Sequence, residues 1–132
     1  MTRLHVVVVS VWTFSLLPAM PLQAQLSGES GASIFSTYCA TCHGTSAKGD
    51  GPLASSLTRK PADLTQIAKQ NGGTFPSERV AQTIDGRTPV KGHGGGEMPV
   101  WGDAFAKSTA DATSPEEKIR RLVRHLEGIQ QK

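Results

Sequence analysis

Aromatic side chains are scarce in this chain: one tyrosine, two tryptophans and four phenylalanines make up 5% of 132 residues. Trp12 and Phe14 fall within the first 24 residues, as does a disproportionate share of the 37% of positions that are apolar. A domain of about 108 residues should bury roughly two thirds of its unfolded surface. The apolar residues left after residue 24, many of them alanine, are a thin filling for such a core. Something apolar from outside the sequence is expected to complete it. Charge of one sign is also lacking: 14 Lys and Arg against 11 Asp and Glu give a formal +3, too little to argue for nucleic acid as a partner. Long uninterrupted helical patterns are absent, because all 14 glycines lie after residue 24, and this excludes extended bundles and coiled coils. The length holds one small domain and leaves no room for a two-domain enzyme. No motif for hydrolysis, phosphate cradling or metal-assisted catalysis stands out.

The one long apolar run is at the start. Arg3 supplies a positive charge, Leu4 to Leu17 is largely apolar with Val6, Val7, Val8 and Val9 in a row, and Pro18 and Pro21 break the run before Gln23-Ala24-Gln25. A short basic start, an apolar stretch and a small residue at the cut are the layout of a secretory signal peptide, so residues 1–24 are expected to be a signal and 25–132 the mature domain. Leu22 is not the small residue usual before a cut, which leaves its position open. The apolar stretch is shorter than the ~20 residues needed to cross a bilayer; an uncleaved N-terminal anchor is the alternative. Export predicts a periplasmic location, outside the reducing cytosol, and no membrane span after cleavage.

Cysteine is limited to Cys39 and Cys42, and His43 follows directly: Cys39-Ala40-Thr41-Cys42-His43. A structural zinc site needs four ligands, and a second pair at similar spacing is missing. A thioredoxin-like redox pair calls for a strand before it and a helix after it, and neither is visible. Covalent haem attachment fits best. Two thiols separated by two residues on the last turn of a helix can reach the two vinyl groups of a porphyrin, and the imidazole just after them is carried under the iron.

With these residues the chain resembles the c-type cytochromes, specifically the small single-haem class I family. The resemblance rests on Cys39-Ala40-Thr41-Cys42-His43-Gly44, Lys48-Gly49-Asp50-Gly51-Pro52, Pro61-Ala62-Asp63-Leu64 and Gly96-Glu97-Met98-Pro99-Val100-Trp101-Gly102, and spans most of residues 28–129. It implies an all-α, cytochrome c-like domain of about four helices wrapped around one covalent haem c. For the sixth iron ligand the candidates after the attachment site are His93, Met98 and His125. Met98 matches the family pattern; it follows the glycines of Gly94-Gly95-Gly96, which can approach a porphyrin closely, and Pro99 fixes the backbone just after the sulfur. His93 is the runner-up, and His125, among Arg120, Arg121 and Arg124, is expected at the surface. The resemblance further implies that a proline carbonyl accepts the proximal imidazole hydrogen bond, and Pro52 is the best match. Trp101 is expected to line the pocket with its indole nitrogen on a propionate or backbone group.

Helical spacing is visible in four places. Residues 30–40 place Ile34, Phe35 and Tyr38 on one stripe that delivers the cysteines; 63–70 carries Leu64, Ile67 and Ala68 and stops at Asn71-Gly72-Gly73. A third helix after Pro76 places Val80, Ala81 and Ile84 and ends at Asp85-Gly86. The last begins at Ser114-Pro115-Glu116-Glu117 and runs through Ile119, Leu122, Val123, Leu126 and Ile129. The family fold crosses the first helix on the last, with Gly31 or Ala32 and Phe35 against Leu122 or Val123. Leu53, Leu57, Pro61, Leu64, Val100 and Phe105 are further candidates for the pocket wall, and Arg59, Lys60 and Arg87 for propionate partners or solvent-facing charge.

With His43 and Met98 both on iron no position is open for substrate, so the chain is expected to be a one-electron carrier and not an enzyme. Methionine ligation and burial both favour the ferrous form, which predicts a relatively oxidising centre. Its partners would be a redox donor and acceptor, meeting it through a short-lived interface. A membrane-bound respiratory complex or dehydrogenase is among the candidate partners. Two alternatives stand: a haem-bearing subunit of a larger dehydrogenase or oxidase, and a haem sensor or enzyme with a displaceable Met98.

Overall fold

The computed structural model describes residues 28–88, 98–108 and 112–131. Helix α1, residues 31–43, starts at Ser30, whose hydroxyl accepts the Ser33 N–H at 3.1 Å, and is α-helical over Gly31–Ile34 and Ala40–His43 with a π-turn between them at Phe35–Cys39. Helix α2, residues 64–70, opens as a 3₁₀ turn capped by the Asp63 carboxylate. Helix α3 is Ser77–Asp85, α4 is Trp101–Lys107 and α5 is Pro115–Gly128, with a short 3₁₀ turn at Ala54–Ser56. No strand occurs among the described residues. Over the described residues the fold is all-α as expected, with five helices where the sequence suggested about four. The addition is α4, whose Trp101 and Phe105 were read as pocket wall. Ser77 begins α3 but its side chain caps nothing.

Helix α5 is the spine. Its N-terminus carries the expected cap, with the Ser114 hydroxyl accepting the Glu117 N–H at 3.2 Å and Pro115 in the first turn, where its missing N–H costs nothing. Ile119, Leu122, Val123 and Leu126 recur at helical spacing and are all buried, against Ile34 and Phe35 of α1, Val80 and Ile84 of α3 and Phe105 of α4. The crossing of α1 on α5 is close. A Cβ at Gly31 would stand 2.1 Å from the Arg121 carbonyl oxygen and 2.9 Å from the His125 Cβ, so the absent side chain is what lets the helices meet. Lys118 is 1% exposed, its ammonium 5.6 Å from the centre of the Phe105 ring, an arrangement attractive to the ring's negative face.

His125, expected at the surface, is half-buried. Its ring lies 5.4 Å from that of Phe35, and burial holds its pKa below the ordinary histidine value. The three arginines around it are drawn to Glu117 instead, with Arg121 Nε at 2.8 Å and Arg120 also paired there. Past the end of α5 the chain clips back onto α2. Gln130 donates to the Leu64 carbonyl at 2.8 Å and accepts the Ala68 N–H at 2.9 Å, while the Gln131 N–H reaches the Thr65 carbonyl at 2.9 Å.

Candidate haem-binding site

The attachment motif occupies the C-terminal end of α1. Cys39 ends the π-turn, and Cys42 and His43 lie in the final α-turn; all three are half-buried and both thiols are free. The preceding element is a helix, which removes the strand that a thioredoxin-like pair would need. The Cys39 thiol points the same way: burial first, and then the neighbouring Cys42, push its pKa up to about 11, so it is a thiol at neutral pH. A redox or nucleophilic cysteine has the opposite poise, with the thiolate favoured.

The last carbonyls of a helix need partners from outside it, and here the returning chain provides them in reverse order. The Gly49 N–H donates to the His43 carbonyl at 2.8 Å, Gly51 to Cys42 at 3.1 Å and Leu53 to Thr41 at 3.0 Å. Gly49 has φ +74°, and a Cβ there would lie 2.1 Å from the Pro61 carbonyl oxygen, so glycine allows residues 61–64 to pass beside the motif. The Leu64 N–H, bonded to the Ala47 carbonyl at 2.8 Å, fixes that passage.

This passage decides which group orients His43. Its Nδ1 lies 3.1 Å from the Ala62 carbonyl oxygen. A carbonyl can only accept, so Nδ1 carries the proton and Nε2 keeps its lone pair, the form an iron ligand needs. Pro52 was expected to supply that carbonyl and does not. It sits exposed in the turn that caps α1, while the close approach of Gly49 to Pro61 brings Ala62 to the imidazole. Pro61-Ala62 stood among the residues carrying the family resemblance, but its role depends on a contact that local sequence does not announce.

Met98 is half-buried and packs against the hydrophobic core three residues before α4. Trp101, the first residue of α4, is half-buried in an aromatic group: its ring centre is 5.4 Å from that of Phe105, stacked, and 5.7 Å from that of Tyr38, edge-on. Tyr38 directly precedes Cys39. The structure thus ties the Met98 segment to the attachment helix through Trp101 and Tyr38, a link that the spacing of α1 alone did not suggest. His93 lies outside the described residues. Arg87 is engaged by Asp85 at 2.6 Å and Glu116 at 3.2 Å, which hold its pKa above the ordinary arginine value. It is therefore built into the scaffold.

These residues fit a haem. Two half-buried thiols and an imidazole of the right tautomer share one helix end, and the Met98 thioether packs against the same core as Cys39. Among the described residues two large apolar side chains are left exposed, Leu53 at 48% and Val100 at 40%, and both were expected on the pocket wall. When bound, the group supplies an iron that gains and loses one electron.

The family model described as "Cytochrome C oxidase, cbb3-type, subunit III" matches residues 27–126. A curated relative, the Cbb3-type cytochrome c oxidase subunit FixP of Azorhizobium caulinodans, is 36% identical over 87 residues. That alignment covers 65% of this chain and 25% of the relative, so the chain spans about a quarter of the length of the protein it matches. No solved structure matches the chain. The chain belongs to the cbb3-type cytochrome c oxidase subunit III family, as a class I c-type cytochrome domain that carries covalent haem c for electron transfer.

Proposed function

We propose that the chain is an exported one-electron carrier with His43 and Met98 as axial ligands. Cys39 and Cys42 would hold the group by thioether bonds, the His43 Nε2 and the Met98 sulfur would be its two iron donors, and Trp101 would line the pocket. Residues 1–24 act as a removable export signal, which leaves 25–132 as the periplasmic domain. The observation that carries this reading is the hydrogen bond from His43 Nδ1 to the Ala62 carbonyl, because it holds the imidazole in the ligating tautomer. With both axial positions taken the chain binds no substrate at iron. Its side chains hold the ligand geometry through a change of one charge, which keeps reorganisation small.

A second reading is favoured by the FixP relative, whose name makes it an oxidase subunit. In that reading the domain passes electrons within a membrane-bound respiratory complex. Among the described residues no helix is long and apolar enough to cross a membrane, so such an association would be made by surface contact or by residues outside those described.

Visible and near-infrared spectra of the exported haem-loaded protein test the ligand assignment. A sulfur-to-iron charge-transfer band is expected in the ferric protein and should vanish in Met98→Ala; a band that persists in that variant removes Met98 from the iron. Fractionation separates the two roles. A free carrier is recovered in the periplasmic extract, and a subunit co-purifies with an oxidase.

A further inference from the structure

Residues 89–97 separate two described segments that lie side by side. On one side α3 ends at Asp85 and turns through Gly86 to Arg87; on the other Met98 leads through Val100 into α4. A Cβ at Gly86 would stand 3.3 Å from the Val100 Cα. At Gly102, which is buried, a Cβ would fall 1.8 Å from Asp85 Oδ1 and 2.5 Å from Arg87 Nε. The backbone of α4 thus rests directly on the Asp85–Arg87 pair. Arg87 spans two carboxylates, with Nε 2.6 Å from Asp85 Oδ1 and its terminal nitrogen 3.2 Å from Glu116 Oε1 at the start of α5. One guanidinium joins α3 to α5 just where the Met98 segment enters α4.

We propose that Asp85, Arg87 and Glu116, with Gly102 seated on the first two, form a clasp that positions Met98 and sets how readily its sulfur leaves the iron. The inference rests on Met98 being the axial ligand. The paired side chains are partly exposed, and ion pairs of that kind add little to global stability. Their effect should therefore be local. Loss of the clasp loosens the beginning of α4 while the buried core of α5 with Ile34, Phe35 and Phe105 stays packed. Residues that position a ligand in this way act through backbone placement and need not touch the group.

The test uses ferric, haem-loaded protein and added imidazole as a competing ligand. Wild type and Met98→Ala come first: a sulfur-to-iron band present in the former and lost in the latter establishes the ligand. If wild type lacks the band, the ligand assignment fails and the clasp falls with it. Given the band, Arg87→Gln removes the bridging cation, and Gly102→Ala wedges a methyl group between the same side chains without changing charge. Both should speed imidazole displacement of Met98 by about two- to fivefold, the scale of one exposed ion pair, with the melting temperature of Arg87→Gln close to wild type. Arg87→Lys should restore charge but only part of the rate, since an ammonium cannot present the same fork to two carboxylates. Displacement rates equal to wild type in both Arg87→Gln and Gly102→Ala would overturn the clasp. So would a rate that rises only in proportion to a general loss of stability.

Discussion

Replacing Gly31 with alanine sets two physical effects against each other. Helix propensity alone favours alanine over glycine by up to about 1 kcal/mol, and by less in a first turn. Packing opposes it. The new methyl would sit 2.1 Å from the Arg121 carbonyl oxygen, 2.7 Å from its carbon and 2.9 Å from the His125 Cβ, and the first two are backbone atoms of α5 that cannot rotate away. Relief requires α1 to move off α5, which loosens Ile34 and Phe35 against the core. Overpacking of this kind costs about 1–3 kcal/mol. The net expectation is a loss of about 1–2 kcal/mol, or roughly 4–15 °C in melting temperature for a domain of this size. Thermal unfolding of the haem-loaded protein, followed by far-ultraviolet circular dichroism, measures it. At room temperature the haem spectrum should be unchanged, because Cys39, Cys42 and His43 lie at the other end of the helix. A melting temperature equal to or above that of wild type would refute the close crossing of α1 on α5.

Three further outcomes follow from named contacts. Ser114→Ala should cost about 1 kcal/mol, because the Glu117 N–H loses its acceptor, while Ser114→Asp keeps the cap and most of the stability; chemical denaturation measures both. Stability should fall as pH drops below the ordinary histidine value of 6.5, since burial holds the His125 pKa lower in the folded state and the unfolded chain takes up the proton first. In His125→Asn the slope of unfolding free energy against pH over that range should flatten, and an unchanged slope would assign it to another group. Gly49→Ala should shift the reduction potential, because its methyl group would fall 2.1 Å from the Pro61 carbonyl oxygen and push away the segment that brings the Ala62 carbonyl to His43 Nδ1; an unchanged potential in the folded, haem-loaded variant would remove Ala62 from that role.

Much of the fold could be read along the chain because its signals are local. Ser114-Pro115 and the recurrence of Ile119, Leu122, Val123 and Leu126 define α5 nearly to the residue. Asp85-Gly86 marks the end of α3, where Gly86 takes the left-handed conformation. Helix α4 escaped notice because it is short, has glycine as its second residue and offers only Trp101 and Phe105 as a stripe, which also fits a pocket wall. The π-turn at Phe35–Cys39 shifts hydrogen bonds by one residue and leaves no mark on composition. The attachment residues were legible because covalent chemistry demands fixed spacing. The acceptor for His43 was not, since the Ala62 carbonyl is backbone and its placement depends on the packing of Gly49 against Pro61. His125 misled for a related reason: its arginine neighbours suggested solvent, whereas the ring it faces, that of Phe35, belongs to another helix.

The intact mass of the chain, exported from a host equipped to attach haem, tests the central claim most directly. One haem added per chain, absent when Cys39 and Cys42 are both changed to serine, is the result expected. A wild-type product with the mass of the bare polypeptide, colourless and already folded, would contradict it.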